Sequence, residues 1–455
     1  MPRQLRLNAF AMNCVGHQSQ GLWRHPRDRS SEYRSMRHWV ELAQLLERGK
    51  FDGLFLADVL GVYDVYGGSV DTALREAVQV PVNDPLLIIP AMAQATEHLA
   101  FAVTVNLSHE QPVAFARRMS TLDDLTDGRL GWNIVTGYLD SGARGAGQAK
   151  QVAHDVRYDI AEEFIDIQYR LWEGSWEDDA ARRDRTAGVF TDPAKVHRVR
   201  YDGEYFHVDA VHLCEPSPQR TPVLYQAGAS AKGVAFAAKH AECVFVAGGS
   251  RTRMAADTAT LRASAADARR DPSDILVLAL TTLITAPTDR QAQEKYDEYR
   301  QYVSAEGALT LVSGWTGIDF AQPEHVSASA ATSNAIQSAA TAFAGDRSSG
   351  TSVDSIARSV GLGGGGPVLV GGPERIADQL EAWAADCDLD GFNLAYAVMP
   401  ETFADVVDFV VPELQRRGLF KTDYRSGTYR DKLFGNGPRL GERHPAARHR
   451  HERTM

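Results

Sequence analysis

Four cysteines in 455 residues, Cys14, Cys214, Cys243 and Cys387, lie far apart and form no C-x-x-C pair. That spacing gives no basis for a zinc ribbon or a disulfide framework. Apolar runs are short as well: none approaches the roughly 18 residues needed to cross a bilayer. Met1-Pro2-Arg3-Gln4-Leu5-Arg6 has no apolar signal-peptide core, so the cytoplasm is the expected location. Basic residues are outnumbered, 48 Lys and Arg against 59 Asp and Glu for a net charge of −11. This argues against nucleic acid or an anionic membrane as the main partner, since both need basic surface. No G-x-G-x-x-G follows a strand-like run and no G-x-x-x-x-G-K-[ST] occurs, which argues against a built-in dinucleotide or nucleoside triphosphate site. No H-E-x-x-H or close His/Asp/Glu set stands out, so no metal is expected.

What the chain does have is strand-like runs alternating with helix-like runs from start to finish, the order that defines an α/β fold. Leu5, Leu7, Ala9 and Ala11 alternate with Arg6, Asn8, Phe10 and Met12, the period of two that marks a first strand. Seven more strands are predicted at 51–57, 100–105, 129–135, 223–226, 242–246, 275–284 and 391–397. Helices are predicted at 33–48, 86–97, 113–126, 155–173, 231–240, 251–269, 288–304, 373–386 and 402–417. The fourth is the clearest, with Ala161, Phe164, Ile165, Leu171 and Trp172 on one face. The eight strands point to a (β/α)₈ TIM barrel, which reaches this length as one domain when it carries insertions.

Three excursions, at about 60–85, 176–220 and 306–366, exceed the usual connection of about two to six residues. The first, rich in tyrosine and proline, reads as an active-site insertion. The third carries Gly363-Gly364-Gly365-Gly366-Pro367, suited to a mobile lid or equally to a passive linker. The organisation expected is one barrel domain over 1–435 and a basic, histidine-bearing tail over 436–455, read as a solvated arm or subunit strap rather than a metal site.

Two segments suit a phosphate-bearing ligand. Gln226-Ala227-Gly228-Ala229-Ser230 leaves the fifth strand and puts Ser230 at a helix N-cap, beside free backbone N–H groups and the positive end of the helix dipole, with Lys232 adding a cation. His154-Asp155-Val156-Arg157-Tyr158-Asp159 opens the fourth helix with a guanidinium and a phenol able to hold phosphate oxygens, although Arg157 could simply pair with Asp159. A second group gathers at strand ends: Cys14 and His17, Asp58 and Tyr63, Asn106, and Tyr138. In a barrel those ends face one mouth. Singly each has a bland alternative, a buried thiol, a turn imidazole or a core phenol. Their coincidence at one rim favours chemistry, and redox chemistry on this scaffold needs a flavin or similar group.

Several segments resemble the bacterial-luciferase-like flavin monooxygenases: Asn13-Cys14-Val15-Gly16-His17, Gly21-Leu22-Trp23-Arg24-His25-Pro26, Arg118-Met119-Ser120-Thr121-Leu122-Asp123, Trp132-Asn133-Ile134-Val135-Thr136 and Leu171-Trp172-Glu173-Gly174-Ser175-Trp176. The resemblance runs from about residue 5 to 450. It is narrowest to the branch holding the nitrilotriacetate, dibenzothiophene-sulfone, long-chain alkane and dimethyl-sulfide monooxygenases. It implies a barrel that takes FMNH2 from a separate NAD(P)H-dependent flavin reductase, adds O2, and inserts one oxygen atom into a small organic molecule. It also implies a homodimer or homotetramer. By the same resemblance Asp58, Asn106, Tyr138 and the strand-five turn line the flavin ring, Tyr158, Ser230 and the Ala229 backbone hold its phosphate, and Cys14, His17 and Tyr63 face the reacting oxygen and substrate. Histidines of the alkane enzyme fall where this chain has Tyr138 and Leu311, whereas Gly314-Trp315-Thr316-Gly317-Ile318-Asp319-Phe320-Ala321 looks like the dimethyl-sulfide branch. An organosulfur substrate such as a dialkyl sulfide is therefore the leading expectation, with alkane, sulfone or aminopolycarboxylate oxygenation behind it. His17 is expected to donate or take a proton near neutral pH, and Tyr138 to donate a hydrogen bond into the site. The rivals are a deazaflavin-dependent hydride-transfer enzyme and a flavin-binding barrel without catalysis.

Overall fold

Strands β1 (Arg6–Met12), β2 (Gly53–Ala57), β3 (Ala100–Asn106), β4 (Leu130–Val135), β5 (Val223–Gln226), β6 (Cys243–Val246), β7 (Leu276–Thr285) and β8 (Gly391–Ala395) pair in parallel and in sequence order. β8 then returns to β1, with Asn8 opposite Asn393 and Phe10 opposite Ala395, so the sheet closes into the expected (β/α)₈ barrel. The computed structural model describes residues 4–322, 336 and 352–451. Among them no helix is long and apolar enough to cross a membrane.

Leu7, Ala9 and Ala11 of β1 belong to the large apolar layer between sheet and helices, and their neighbours point into the barrel. There Phe10, Phe55, Tyr225 and Phe245 interlock, with ring centroids 4.4 to 5.7 Å apart. The outer helices are α1 (Met36–Arg48), α2 (Ile89–Gln94), α3 (Pro112–Leu125), α4 (His154–Tyr169), α5 (Ala231–His240), α6 (Arg251–Asp267), α7 (Asp289–Arg300), α8 (Ala305–Thr316), α9 (Val353–Val360) and α10 (Pro373–Cys387). The long helix predicted at 402–417 is broken into Glu401–Asp405, a π turn at Val406–Val410, and Val411–Arg416. Pro412 has no N–H to offer the preceding turn, and the helix widens there.

The 60–85 insertion crosses the mouth and bridges to the loop after β1 through Cys14 with Val82 and Gly16 with Val78. It packs with α8 and α9 in a second apolar cluster that includes Tyr63, Val78, Leu311, Val312, Phe320 and Ile356. Much of the third excursion, 323–335 and 337–351, lies outside the described residues. Its glycine run packs against the loop after β1: the Gly363 N–H donates to Ser19 Oγ at 3.2 Å, and a side chain on Gly364 would overlap Gln18. Beyond it, Val368–Gly371 pairs with the overhanging end of β7.

The other end of the barrel differs more from expectation. Residues 176–220 hold two hairpins, Ala181–Asp184 with Val189–Thr191 and Val199–Asp202 with His207–Ala210. A short helix not foreseen from the sequence, α11 (Tyr429–Phe434), plugs the N-terminal mouth. Tyr429 and Leu433 are buried against Phe55, Ala100, Tyr225 and Leu278, and Arg430 forms a buried ion pair with Glu242 at 2.6 Å. The described residues after it, 435–451, pack onto the protein rather than forming a solvated arm. Arg439 and Arg450 grip Glu173 at 2.7 and 2.8 Å, and His444 donates to the His240 carbonyl at 2.9 Å. His451 stacks on His197, yet His197 already bonds Glu177 and His451 the Gly174 carbonyl, so each imidazole has a partner within the protein.

Candidate active site

The C-terminal strand ends deliver their side chains to a cleft of about 1030 Å³, its open mouth included. Asp58 and Asn106 stand at the ends of β2 and β3, Tyr138 after β4, Arg157 and Tyr158 on the first turn of α4, and Ala229 and Ser230 after β5; all seven line it. The cofactor-binding residues expected from the sequence are therefore brought together on one wall.

One end of the cleft is polar. Ser230 caps α5, its hydroxyl accepting the Gly233 N–H at 3.1 Å, so the other free N–H groups of the first turn remain for a ligand. The Tyr158 hydroxyl lies beside Ser230 and Gln226. It also lies against Gly228 and Gly233, where a Cβ would come within 2.6 and 2.8 Å of it. Arg157 does not pair with Asp159, because Lys232 takes that carboxylate at 2.9 Å. Lys232 is thereby spent on the surface rather than lining the cleft. The Arg157 side chain is left 2 % exposed, with Nε lacking any partner and one long contact, 3.4 Å, to the Val152 carbonyl. A buried, charged guanidinium with unused donors calls for an anion. The phosphate of a flavin mononucleotide fits that set.

Val59, Leu60, Ile134 and Leu139 add apolar lining to the same cleft. Burial, reinforced by Asp84 and opposed by the Val59 N–H, pushes the Asp58 carboxyl up to about 7. It is the one acid of this wall poised to change charge near neutrality.

Cys14, His17 and Tyr63 sit behind the cleft rather than on it. Tyr63 reaches it through Tyr138, hydroxyl to hydroxyl at 2.6 Å. The proton order of that contact follows from its neighbours. Gln79 Nε2 donates to the His17 carbonyl at 3.2 Å, which turns Gln79 Oε1 toward Tyr63, and Tyr63 donates to it at 2.8 Å. A phenol has one proton, so Tyr138 must be the donor in the shared bond. Tyr138 thus presents a lone pair to the cleft, not the donor expected from the sequence. Its own hydroxyl is pushed up to about 12 by burial, with Tyr63 and the nearby Trp315 acting the other way. Gly314 of α8 makes the arrangement possible, since a Cβ there would be driven into the Tyr63 ring.

His17 is 1 % exposed, edge-on to Phe10 at 4.4 Å, and burial lowers it to about 3. It is a neutral imidazole at physiological pH, which corrects the expectation that it titrates near neutrality. The buried Cys14 thiol is raised by burial and by Asp58, and it contacts the Gly16 carbonyl at 3.4 Å, so it is an unreactive thiol rather than a thiolate. Gln79 and Gln151 were not singled out from the sequence, and Gln226 and Trp315 appeared there only inside longer motifs, with no role of their own. Gln226 ends a strand and so carried a positional signal, whereas Gln79 lies in an irregular segment with none.

A closed parallel barrel with its polar and apolar groups converging on the C-terminal mouth defines an enzyme architecture. The chain belongs to the luciferase-like monooxygenases, whose family model matches residues 14–387, and it is a monooxygenase of that family. It is 48% identical over 453 residues to the dimethyl-sulfide monooxygenase of Hyphomicrobium sulfonivorans, covering 99% of this chain and 94% of the relative. It is 47% identical over 451 residues to the long-chain alkane monooxygenase of Geobacillus thermodenitrificans (strain NG80-2), covering 99% of each. The crystal structure of a riboflavin lyase with modified FMN and riboflavin superposes with a TM-score of 0.91 at 34% identity, covering 99% of this chain and 100% of that one.

Proposed function

We propose that this chain is the oxygenase of a two-component system. A separate NAD(P)H-dependent flavin reductase supplies FMNH2, O2 is the co-substrate, and the molecule oxygenated is small and uncharged, a dialkyl sulfide first. The observation that carries the reading is the lining of one cleft by both a buried guanidinium whose Nε has no partner, near a capped helix start, and apolar side chains. Arg157, Tyr158, Ser230 and the Ala229 backbone hold the phosphate, and Asp58, Asn106 and Tyr138 border the ring. Reduced FMN supplies the two electrons with which one atom of O2 enters the substrate while the other leaves as water. The layer formed by 60–85, α8 and α9 keeps bulk water from the inner end, where side reactions would otherwise compete. Tyr138 offers its lone pair to a hydrogen-bond donor in the cleft, and its own proton stays on the path Tyr138, Tyr63, Gln79.

An apolar wall with only an acid beside it disfavours carboxylate-bearing substrates, and the identity with a dimethyl-sulfide monooxygenase supports a thioether. Oxygenation of a methyl carbon next to sulfur gives an adduct that collapses to a thiol and formaldehyde. The test is O2 uptake and product mass with purified chain, photoreduced FMN and no reductase, offering dimethyl sulfide, dibenzothiophene sulfone, hexadecane and nitrilotriacetate in parallel. ¹⁸O from O2 in the carbonyl product of the sulfide, trapped before it exchanges with water, is the expected result. Hydrogen peroxide alone from every substrate overturns the substrate class, and failure to bind FMNH2 overturns the cofactor.

A further inference from the structure

A second cleft opens at the opposite end of the barrel, where the start of β1 meets the segment 421–432 that leads into α11. Two adjoining hollows of about 740 and 570 Å³, their open mouths included, share Gln4, Arg6 and Arg425. The first is lined by Arg6, Lys421, Arg425 and Lys432 against Asp52 and Asp423, a local excess of cations in a chain of net charge −11.

The acids are already engaged. Asp52 pairs with Lys421 at 2.7 Å and accepts the Leu7 N–H at 2.8 Å; Asp423 bonds Lys50 at 3.1 Å and the Tyr424 N–H at 2.9 Å. Asp390, in the adjoining hollow, bonds Arg262 and the Val277 N–H. Arg6, Arg425 and Lys432 have no carboxylate partner among the described residues. Arg6 gives one N–H to the Leu433 carbonyl at 3.1 Å and keeps a buried Nε without a partner, and Lys432 donates to the His98 carbonyl at 3.0 Å. Burial, then Arg129, and further off Lys421, lower Lys432 to about 8, while Glu47 and Asp431 act the other way. Four cations against two carboxylates that are already bonded, with donors left over on Arg6, Arg425 and Lys432, are the electrostatic complement of a compact anion.

We infer that this cleft binds a small oxyanion, a phosphate or the phosphate group of an ester, between Arg6, Arg425 and Lys432. The site is separate from the flavin cleft and does not depend on the oxygenase reading. Because Arg425 and Lys432 belong to the closing segment and Arg6 to β1, the bound anion ties the plug to the barrel floor and stabilises the closed molecule by mass action.

The experiment uses the chain with and without added FMN, so that phosphate held at the flavin cleft is counted apart, at constant ionic strength with inorganic phosphate as the probe and glycerol phosphate in a parallel arm. Calorimetry is expected to show one phosphate per chain, weakened about tenfold in Arg425→Gln and Lys432→Gln. The parallel arm tells an ester from the free ion. Arg425 is exposed and unpaired, so its variant folds and decides the matter even if Lys432→Gln does not. Absence of binding up to about 20 mM, an affinity worth about 2.3 kcal/mol, or equal binding by Arg425→Gln, overturns the site.

Discussion

The hydroxyls of Tyr63 and Tyr138 lie 2.6 Å apart, and the proton between them belongs to Tyr138 because Tyr63 has given its own to Gln79. Removing the acceptor is therefore not equivalent to removing the donor. Tyr63→Phe leaves both Gln79 Oε1 and the Tyr138 proton without their partners, whereas Tyr138→Phe leaves the Tyr63–Gln79 bond intact. Tyr63→Phe should lose about 1–3 kcal/mol in urea unfolding and Tyr138→Phe about 1 kcal/mol or less. Both should lower the ratio of oxygenated product to hydrogen peroxide. Equal stability losses would contradict the proton order.

Gly314→Ala should cost about 1–3 kcal/mol by forcing the Tyr63 ring off the α8 backbone. Tyr63→Phe should not relieve that cost, since the ring remains. Tyr63→Leu should relieve part of it, and a double-mutant cycle in urea separates the two cases.

Arg157 distinguishes a phosphate site from a ring site. Arg157→Gln should weaken FMN by about tenfold to a hundredfold, as expected for loss of a charge-assisted contact, and leave riboflavin binding unchanged. Fluorescence titration with the two ligands reads this directly, and a parallel loss of riboflavin affinity would place Arg157 elsewhere.

Asp58 predicts the pH behaviour. Its carboxyl holds its proton to about 7 in the folded protein and loses it near 4 in the unfolded chain. The folded state therefore binds the extra proton, and stability falls as pH rises from about 4 to about 7, by a few kcal/mol at most, then levels off. Asp58→Asn should flatten that decline in urea unfolding series at pH 5 and pH 8. It should also abolish any inflection near 7 in flavin affinity.

At the barrel floor, Leu433→Ala should cost about 2–5 kcal/mol, the usual range for emptying a packed apolar site. The midpoint of thermal unfolding should drop while turnover at 25 °C stays the same, because Leu433 lies at the end remote from the flavin cleft.

The barrel and the flavin wall were legible in the sequence because both obey local rules. Strand periodicity located all eight barrel strands to within a few residues, and Gln226-Ala227-Gly228-Ala229-Ser230 announced a capped helix start. What was not legible depends on burial and on long-range partners. His17 carries the ordinary sequence signature of a titrating imidazole, and only its packing against Phe10 shows that it stays neutral. Gln79 has no periodic or spacing signal, yet it sets the proton order of two tyrosines. α11 spans six residues, too few for an apolar stripe to show. The hairpin of Val199–Asp202 and His207–Ala210 was not read from the sequence, and Asp202-Gly203 does not form a two-residue turn there, since Asp202 pairs with His207 across a longer loop.

The plug at the barrel floor bears on how the molecule is made. Tyr429 packs in one cluster with residues of β2, β3, β5, β6 and β7, and Arg430 pairs with Glu242, yet both follow all eight barrel strands in the chain. A nascent chain can assemble its strands in order as they emerge, but the aromatic interior stays open at one end until residue 434 clears the exit tunnel. Translation that stops short of that point yields a barrel with Phe55 and Tyr225 uncovered and Glu242 lacking its arginine, a species with reason to aggregate and with an exposed mark for quality control.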